Sequence, residues 1–339
     1  MTQSKPAVSD AVRRNLLAGA CAIASLGLAM GFSGVTQAQG YPDRAIKIVV
    51  AGPPAGGTDF LARLVADHLA RDLKKAVVVE NRAGASGLIG TKYVRQESPD
   101  GYTFLMGHAA TNAILPLVHT QETYDPIEDF TPISLIATAP EVLVVSSDSP
   151  IKTVAEYVAQ ARAQPDQISY GTPGLGQPQH IVGERFMAAT KTKLLHIPYN
   201  GSGPALTDLV GGRITSMFVT PGAVMPFIRD GRVRALAVSS GERFALLPDV
   251  PTLEEEGVEG VTQLGWFGLF APAGLPEDRK QIFEAAVKRV LASSEVRQKI
   301  AGAYVEPKGT SADEFAAFQG AQVQEFQQIV DRLSLKLAD

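Results

Sequence analysis

From residue 46 onward, short apolar runs alternate with longer segments whose apolar residues recur every three or four positions. Ile46, Ile48, Val49 and Val50 read as a buried strand, and Leu61, Leu64, Val65, Leu69 and Leu73 as the inner face of a helix. The same rhythm predicts a strand over 76–80, a helix carrying Leu88, Ile89, Tyr93 and Val94, and a strand over 102–106. A second series begins with a strand over 141–147, followed by a helix opened by the capping-box sequence Thr153-Val154-Ala155-Glu156. Further strands are expected over 168–171, 194–199, 214–220 and 233–239, and a last one over 266–271. Only helices follow, over 277–292 and 295–302, with a long one opened by Ser311-Ala312-Asp313-Glu314. Such alternation predicts an α/β fold of mainly parallel sheets covered by helices on both faces.

A chain that ends in helices after a second strand–helix series commonly returns to pack on its first lobe. Two lobes are therefore expected: one discontinuous, 41–140 and 266–339, and one inserted, 141–265. The chain would cross between them near Pro140 and again near Gly265. No internal repeat and no low-complexity tract interrupts this part of the chain.

The first forty residues have a different pattern. Arg13 and Arg14 precede an apolar, small-residue run over 16–32, and small and polar residues follow to Gly40. That order reads as a secretory signal peptide, with cleavage after Ala38 and after Gly40 both fitting, and predicts a periplasmic protein. The paired arginines leave the Sec and Tat routes both open. Cys21 is the only cysteine and lies in this segment, so the exported chain has neither a disulfide nor thiol chemistry.

Without the leader, about 300 of the 339 residues remain, enough for two ordinary lobes. The whole chain carries 31 basic and 35 acidic side chains, and its leader holds three of the basic and one of the acidic. The remainder is therefore acidic, which excludes nucleic-acid tracking and gives no long-range steering of anions. An anion site here must rely on local donors. Enzyme signatures are absent: no Gly-x-Ser-x-Gly elbow, no Walker loop, and no pair of histidines four apart among His68, His108, His119, His180 and His196. No cofactor, metal or catalytic residue is expected.

Four loops lie at the C-terminal ends of predicted strands, where open α/β sheets bind their ligands. They are 53–59, 108–112, 171–177 and 198–203. In the first, the paired glycines Gly56 and Gly57 let backbone approach a ligand, and the following helix offers unpaired amides backed by its dipole. Such a junction suits a carboxylate or phosphate. Asp59 is read as a helix N-cap, the alternative being a partner for a ligand hydroxyl or ammonium. Tyr199 reads equally as a core ring or as a pocket wall with a donor hydroxyl, and His108 and His180 as structural.

Several segments together resemble one family. They are Tyr41-Pro42, Pro53-Pro54-Ala55-Gly56-Gly57-Thr58-Asp59 with Leu61-Ala62-Arg63, Glu80-Asn81-Arg82 with Gly84-Ala85, and Pro99-Asp100-Gly101-Tyr102-Thr103. Tyr170-Gly171-Thr172-Pro173-Gly174, Pro198-Tyr199-Asn200-Gly201, Arg234-Ala235-Leu236-Ala237-Val238 and Leu247-Pro248-Asp249-Val250-Pro251-Thr252-Leu253 continue the pattern. In order and spacing they resemble the solute-binding receptors of tripartite tricarboxylate transporters, the TctC or Bug family. The resemblance implies a two-lobed type II periplasmic binding fold closing on a small carboxylate, such as a di- or tricarboxylate, an aromatic acid or some amino acids. It implies delivery of that acid to membrane permease components by a monomeric, non-catalytic receptor. Presentation to a sensor kinase is the alternative, and a secreted α/β hydrolase a remote one. The residues expected to meet the ligand are Pro54, Ala55, Gly56, Gly57, Thr58 and Asp59; Ala109 and Thr111; Thr172, Pro173, Gly174 and Gln177; and Tyr199, Asn200 and Gly201. One departure stands out: Ala55 occupies the place of the family's usual first glycine.

Overall fold

The computed structural model describes residues 40–119 and 124–333, with Thr2 as an isolated position before them. The leader read from the sequence therefore lies outside the described residues. Among those described, no helix is long and apolar enough to cross a membrane.

Strand β1 (Ile46–Val50) pairs in parallel with β2 (Val77–Asn81) on one side and β3 (Thr103–His108) on the other. Between them run helices α1 (Gly57–Leu73) and α2 (Leu88–Arg95). After β3 a π-helical turn (Ala110–Ile114) leads into the short α3 (Leu115–Val118). Strand β4 (Phe130–Pro140) then carries the chain out of this sheet, and β5 (Val142–Ser146) opens the second one. There follow α4 (Val154–Ala163), β6 (Ser169–Thr172), α5 (Pro178–Thr190), β7 (Leu195–Pro198) and α6 (Ser202–Val210). Then come β8 (Ser216–Val219), α7 (Pro221–Arg229) and β9 (Val233–Val238). The chain returns through β10 (Leu264–Pro272), and finishes with α8 (Glu277–Ala292), α9 (Ser294–Gly302), β11 (Glu306–Pro307) and α10 (Ala312–Leu333). The two sheets have the strand orders β11-β4-β10-β3-β1-β2 and β7-β6-β8-β5-β9.

Period-two alternation sorts the strand side chains into four apolar layers. Ile48, Val50, Phe104 and Met106 face Leu61, Val65 and Leu69 of α1 and Phe283 and Val287 of α8. Val49 and Leu105 face the other way, toward Trp266 and the α10 residues Phe315 and Phe326. In the second sheet, Leu143 and Val145 pack with Tyr157 and Phe186, while Val142 and Val144 pack with Leu206, Leu209 and Val224. Strands buried on both faces in this way read as near-continuous apolar runs. Each fully buried aliphatic or aromatic side chain contributes about 1.5–3 kcal/mol. Thr153 caps α4, its side chain accepting the Glu156 amide, as the capping-box sequence predicts.

Both sheets are mixed, where mainly parallel ones were expected. β10 runs antiparallel to β3 and β4, and β5 antiparallel to β8 and β9. The cause is the double crossing: the chain leaves the first sheet along β4 and comes back along β10 beside it, so the two strands must oppose. β4 itself was not anticipated. Thr131, Pro132, Ser134 and Thr138 break its apolar run, and its burial comes from its place between β10 and β11.

Candidate functional site

The turn between β1 and α1 is shaped by Asp59. The helix begins at Gly57 with Gly56 as N-cap and no side-chain capping bond, so Asp59 is not the cap expected from the sequence. It sits in the first turn and reaches back: Oδ2 accepts the Ala55 amide at 3.0 Å and Arg63 Nε at 3.0 Å, and Oδ1 accepts Asn81 Nδ2 at 2.9 Å. Burial alone would raise this carboxyl, but the bonds from Arg63, Ala55 and Asn81 hold it below its ordinary value. Ala55 adopts φ 64°, in the left-handed region, which costs a side-chain-bearing residue about 1–2 kcal/mol and a glycine almost nothing. The Asp59 bond pins it there. The amides of Gly57 and Thr58 donate to nothing among the described residues and point out of the helix end.

Three more helices start at the same place. α5 begins after Gln177 with Pro178 at its first position, α6 after Gly201, and α7 after Thr220. A cavity of about 240 Å³ is lined by Gly57 and Thr58 from α1, by Gln177 and Gln179 from α5, and by Ser202 and Thr220 from α6 and α7. The amides of Gln179 and Ser202, like those of Gly57 and Thr58, have no protein acceptor among the described residues. No lysine or arginine lines it. Ala139, Glu141, Gly265, Trp266 and Phe267, from the two chain crossings, form its floor. Larger hollows lie elsewhere: three of about 500 Å³, lined by Arg185 and Glu325, by Arg243 and Pro307, and by Asp278 and Arg289, and one of about 370 Å³ lined by Arg44 and Asp100. None of them gathers several helix N-termini, so the smaller cavity is the candidate anion site. Its size is below the roughly 300–1,000 Å³ of drug-sized pockets and suits a small acid.

Of the residues expected from the sequence, Gly57, Thr58, Ala109, Pro173 and Gln177 line this cavity. Pro54, Ala55, Gly56 and Asp59 form the turn behind Gly57. Thr111 is fully buried with its hydroxyl donating to Asn112 Oδ1, and Thr172 is fully buried with Oγ1 beside His196 Nε2 at 2.7 Å. Gly174, Tyr199, Asn200 and Gly201 belong to two loops zipped together, the Tyr199 amide donating to Thr172 O and the Gly201 amide to Pro173 O. The Tyr199 hydroxyl is a donor, as one reading had it, but to Asp208 Oδ2 at 2.9 Å. His180 accepts the Gly176 amide on Nδ1 and stacks on His196 at 4.3 Å, bracing the 171–177 loop. His108 does line the cavity, and desolvation pushes its imidazole down to about 4, so it is neutral there.

Glu141, Gln179 and Thr220 were not singled out, and Gly265 was named only as the place of the second crossing. Glu141 carried a signal: it is the one charged residue at the head of the apolar run 142–145. Its carboxylate is almost wholly buried, Oε2 accepts Gln179 Nε2 at 2.8 Å, and burial pushes it up to about 8.

Replacing Gly57 by valine tests the α1 terminus. A Cβ there meets nothing within 4 Å, so the fold should tolerate it while the branched side chain crowds the free amides. Ligand affinity measured by calorimetry should fall by about tenfold or more with an unchanged melting temperature. Unaltered affinity would remove this terminus from the site.

Comparison with known proteins identifies the family. Residues 61–335 match the family described as "Tripartite tricarboxylate transporter family receptor". Protein BugT of Bordetella pertussis is 32% identical over 91% of this chain and 94% of its own length. Among solved structures, R. palustris Rpa4515 with adipate is 33% identical, with a TM-score of 0.81 over 87% of this chain and 99% of that one. MatC from Rhodopseudomonas palustris with bound malate is 29% identical, with a TM-score of 0.77 over 86% and 100%. With the two-lobed α/β architecture, the match over most of its length places this chain in the TctC/Bug family of periplasmic solute-binding receptors.

Proposed function

We propose that this protein captures a small carboxylate between its lobes and delivers it, as a monomer, to the membrane permease components of a tripartite tricarboxylate-type transporter. One observation carries the reading: four helix N-termini, from both sheets, open on a single cavity that no lysine or arginine lines. Charge-assisted hydrogen bonds from such amides contribute about 1.5–3 kcal/mol each, and each helix dipole adds about 0.3–1 kcal/mol. Two or three of them hold an acid firmly without a cation. That relatives were solved with adipate and malate supports the same ligand class.

In this reading, 41–140 with 266–339 and the inserted 141–265 are the two lobes, and they rotate about the crossings to close on the ligand. The grip comes from the turn 54–59, Ala109 and Thr111, the segment holding Thr172, Pro173, Gly174 and Gln177, and the Tyr199–Gly201 loop. Trp266, the sole tryptophan, lies against the cavity with its Nε1 unpartnered, so it should report binding. Titration with adipate, malate and an aromatic acid should give a saturable fluorescence change with at least one of them, and proton NMR should show that acid unconsumed. Turnover would overturn the receptor reading, and silence across all acids would overturn the ligand class.

A further inference from the structure

His108, read from the sequence as structural, ends β3 at the cavity. Phe104 and Met106 of the same strand face α1, and period-two alternation puts the imidazole on that face, beside the α1 N-terminus. Across the sheet it pairs with Phe267, which also lines the cavity. Its backbone is tied down, the amide donating to Thr111 Oγ1 at 3.3 Å. Its ring is not. Protein crowds the imidazole without sealing it, and neither nitrogen has a hydrogen-bond partner among the described residues. His180 and His196 differ in this respect, for their ring nitrogens meet the Gly176 amide and Thr172 Oγ1.

An acid entering this cavity brings negative charge to a place that no lysine or arginine lines. Asp59 and Arg63 pair with each other behind the α1 turn, so neither offers a free charge. Glu141 lines the cavity, but burial pushes it up to about 8, so it is uncharged in mild acid. Among the lining residues only His108 can turn positive. Desolvation pushes the empty-site imidazole down to about 4. A carboxylate within hydrogen-bond reach favours the charged form of a neighbouring base by about ten- to a thousandfold.

We infer that His108 contacts the ligand and takes up a proton as the acid binds, so that capture is coupled to proton uptake from solvent. This rests on the carboxylate reading given above. No bond within the ligand changes: a proton from water or buffer joins the free ring nitrogen, and the imidazolium donates a charge-assisted hydrogen bond to the carboxylate. The helix amides hold the acid at neutral pH, and the imidazolium adds to them below it. Linkage is reciprocal: the bound acid strengthens the ring's hold on a proton, and a lower pH strengthens the hold on the acid. The ring's pKa is raised in the complex above its empty-site value, so the added affinity is present in acid and is lost as pH rises through the raised value.

The test is calorimetry of the exported protein with malate and with benzoate at pH 5.5 and 7.5, in buffers of different ionisation enthalpy. The dependence of the heat on the buffer counts the protons taken up. At pH 5.5 wild type should take up about half a proton or more beyond what His108→Gln takes up. Between pH 7.5 and 5.5 its affinity should gain about threefold or more on that of the variant. Protons exchanged by the ligand or by Glu141 are common to both proteins and cancel. A merely structural His108 would shift affinity alike at both pH values. Should His108→Gln fold poorly, His108→Asn takes its place. Histidine NMR of wild type reads the same event: of the five rings, one should move to the imidazolium position when malate is added at pH 5.5. Equal uptake in wild type and variant, or parallel pH profiles, would overturn the inference while leaving the carboxylate reading intact. If no acid binds at all, both fall together.

Discussion

Asp59→Ala is expected to cost about 2–4 kcal/mol of folding stability and to weaken ligand binding at least tenfold. The alanine removes the acceptor of the Ala55 amide and one of the two acceptors of Asn81 Nδ2, which keeps Gly52 O; hydrogen bonds to a charged group contribute about 1.5–3 kcal/mol each, and less where exposed as at Ala55. Arg63 is half exposed, so its ion pair adds little. The larger consequence is local. Without the carboxylate nothing pins Ala55 in its left-handed conformation, and the turn relaxes to relieve it. Gly57 and Thr58 follow directly, so their amides lose their aim at the cavity. The cost also depends on pH in a fixed direction. The folded-state pKa of Asp59 lies below its ordinary value, so its contribution is full above the unfolded value and is lost as pH falls through the lowered one. Wild type and variant should therefore converge in strong acid. Urea denaturation at neutral and acidic pH checks both statements; an Asp59→Ala protein as stable as wild type at pH 7 would refute them. Asp59→Asn keeps one acceptor and should fall between.

Much of this arrangement is readable from the chain itself because local rules and tertiary packing agree there. The run from Ile46 through Gly57 to Leu73 specifies strand, turn and helix with no help from distant residues, and β1 and α1 follow it closely. The alternation of Val142 to Val145 likewise announces a strand buried on both faces. What could not be read depends on contacts between segments far apart in sequence. β4 is a strand because β10 and β11 flank it, and its own prolines and threonines argue otherwise. Asp59 looked like an N-cap by its position before an apolar helix, but its partners Ala55 and Asn81 draw it into the first turn instead. Glu141 is the sharpest case. A lone acid at the head of a strand is ordinarily solvated, and only the second crossing, arriving more than a hundred residues later, closes over it.

Glu141→Gln is expected to stabilise the ligand-free protein at alkaline pH, by on the order of 5 kcal/mol at pH 9, and to change it little at pH 5. Burial raises the folded-state pKa of Glu141 to about 8, against an ordinary glutamate value near 4.5. Between those values the folded chain keeps a proton that the unfolded chain has given up. Unfolding then releases a proton, so the folded state loses ground as pH rises from about 4.5 to about 8, with no further loss above. Glutamine has no proton to lose, and the gap between the two proteins should open across that window and then stay constant. His108 works the opposite way, its pKa being pushed down to about 4, but it is common to both proteins and cancels in the difference. Denaturation curves at pH 5, 7 and 9 measure the gap. A difference that stays flat with pH would mean that Glu141 is already solvated or already paired with a positive group, and would overturn its reading as a buried, protonated acid.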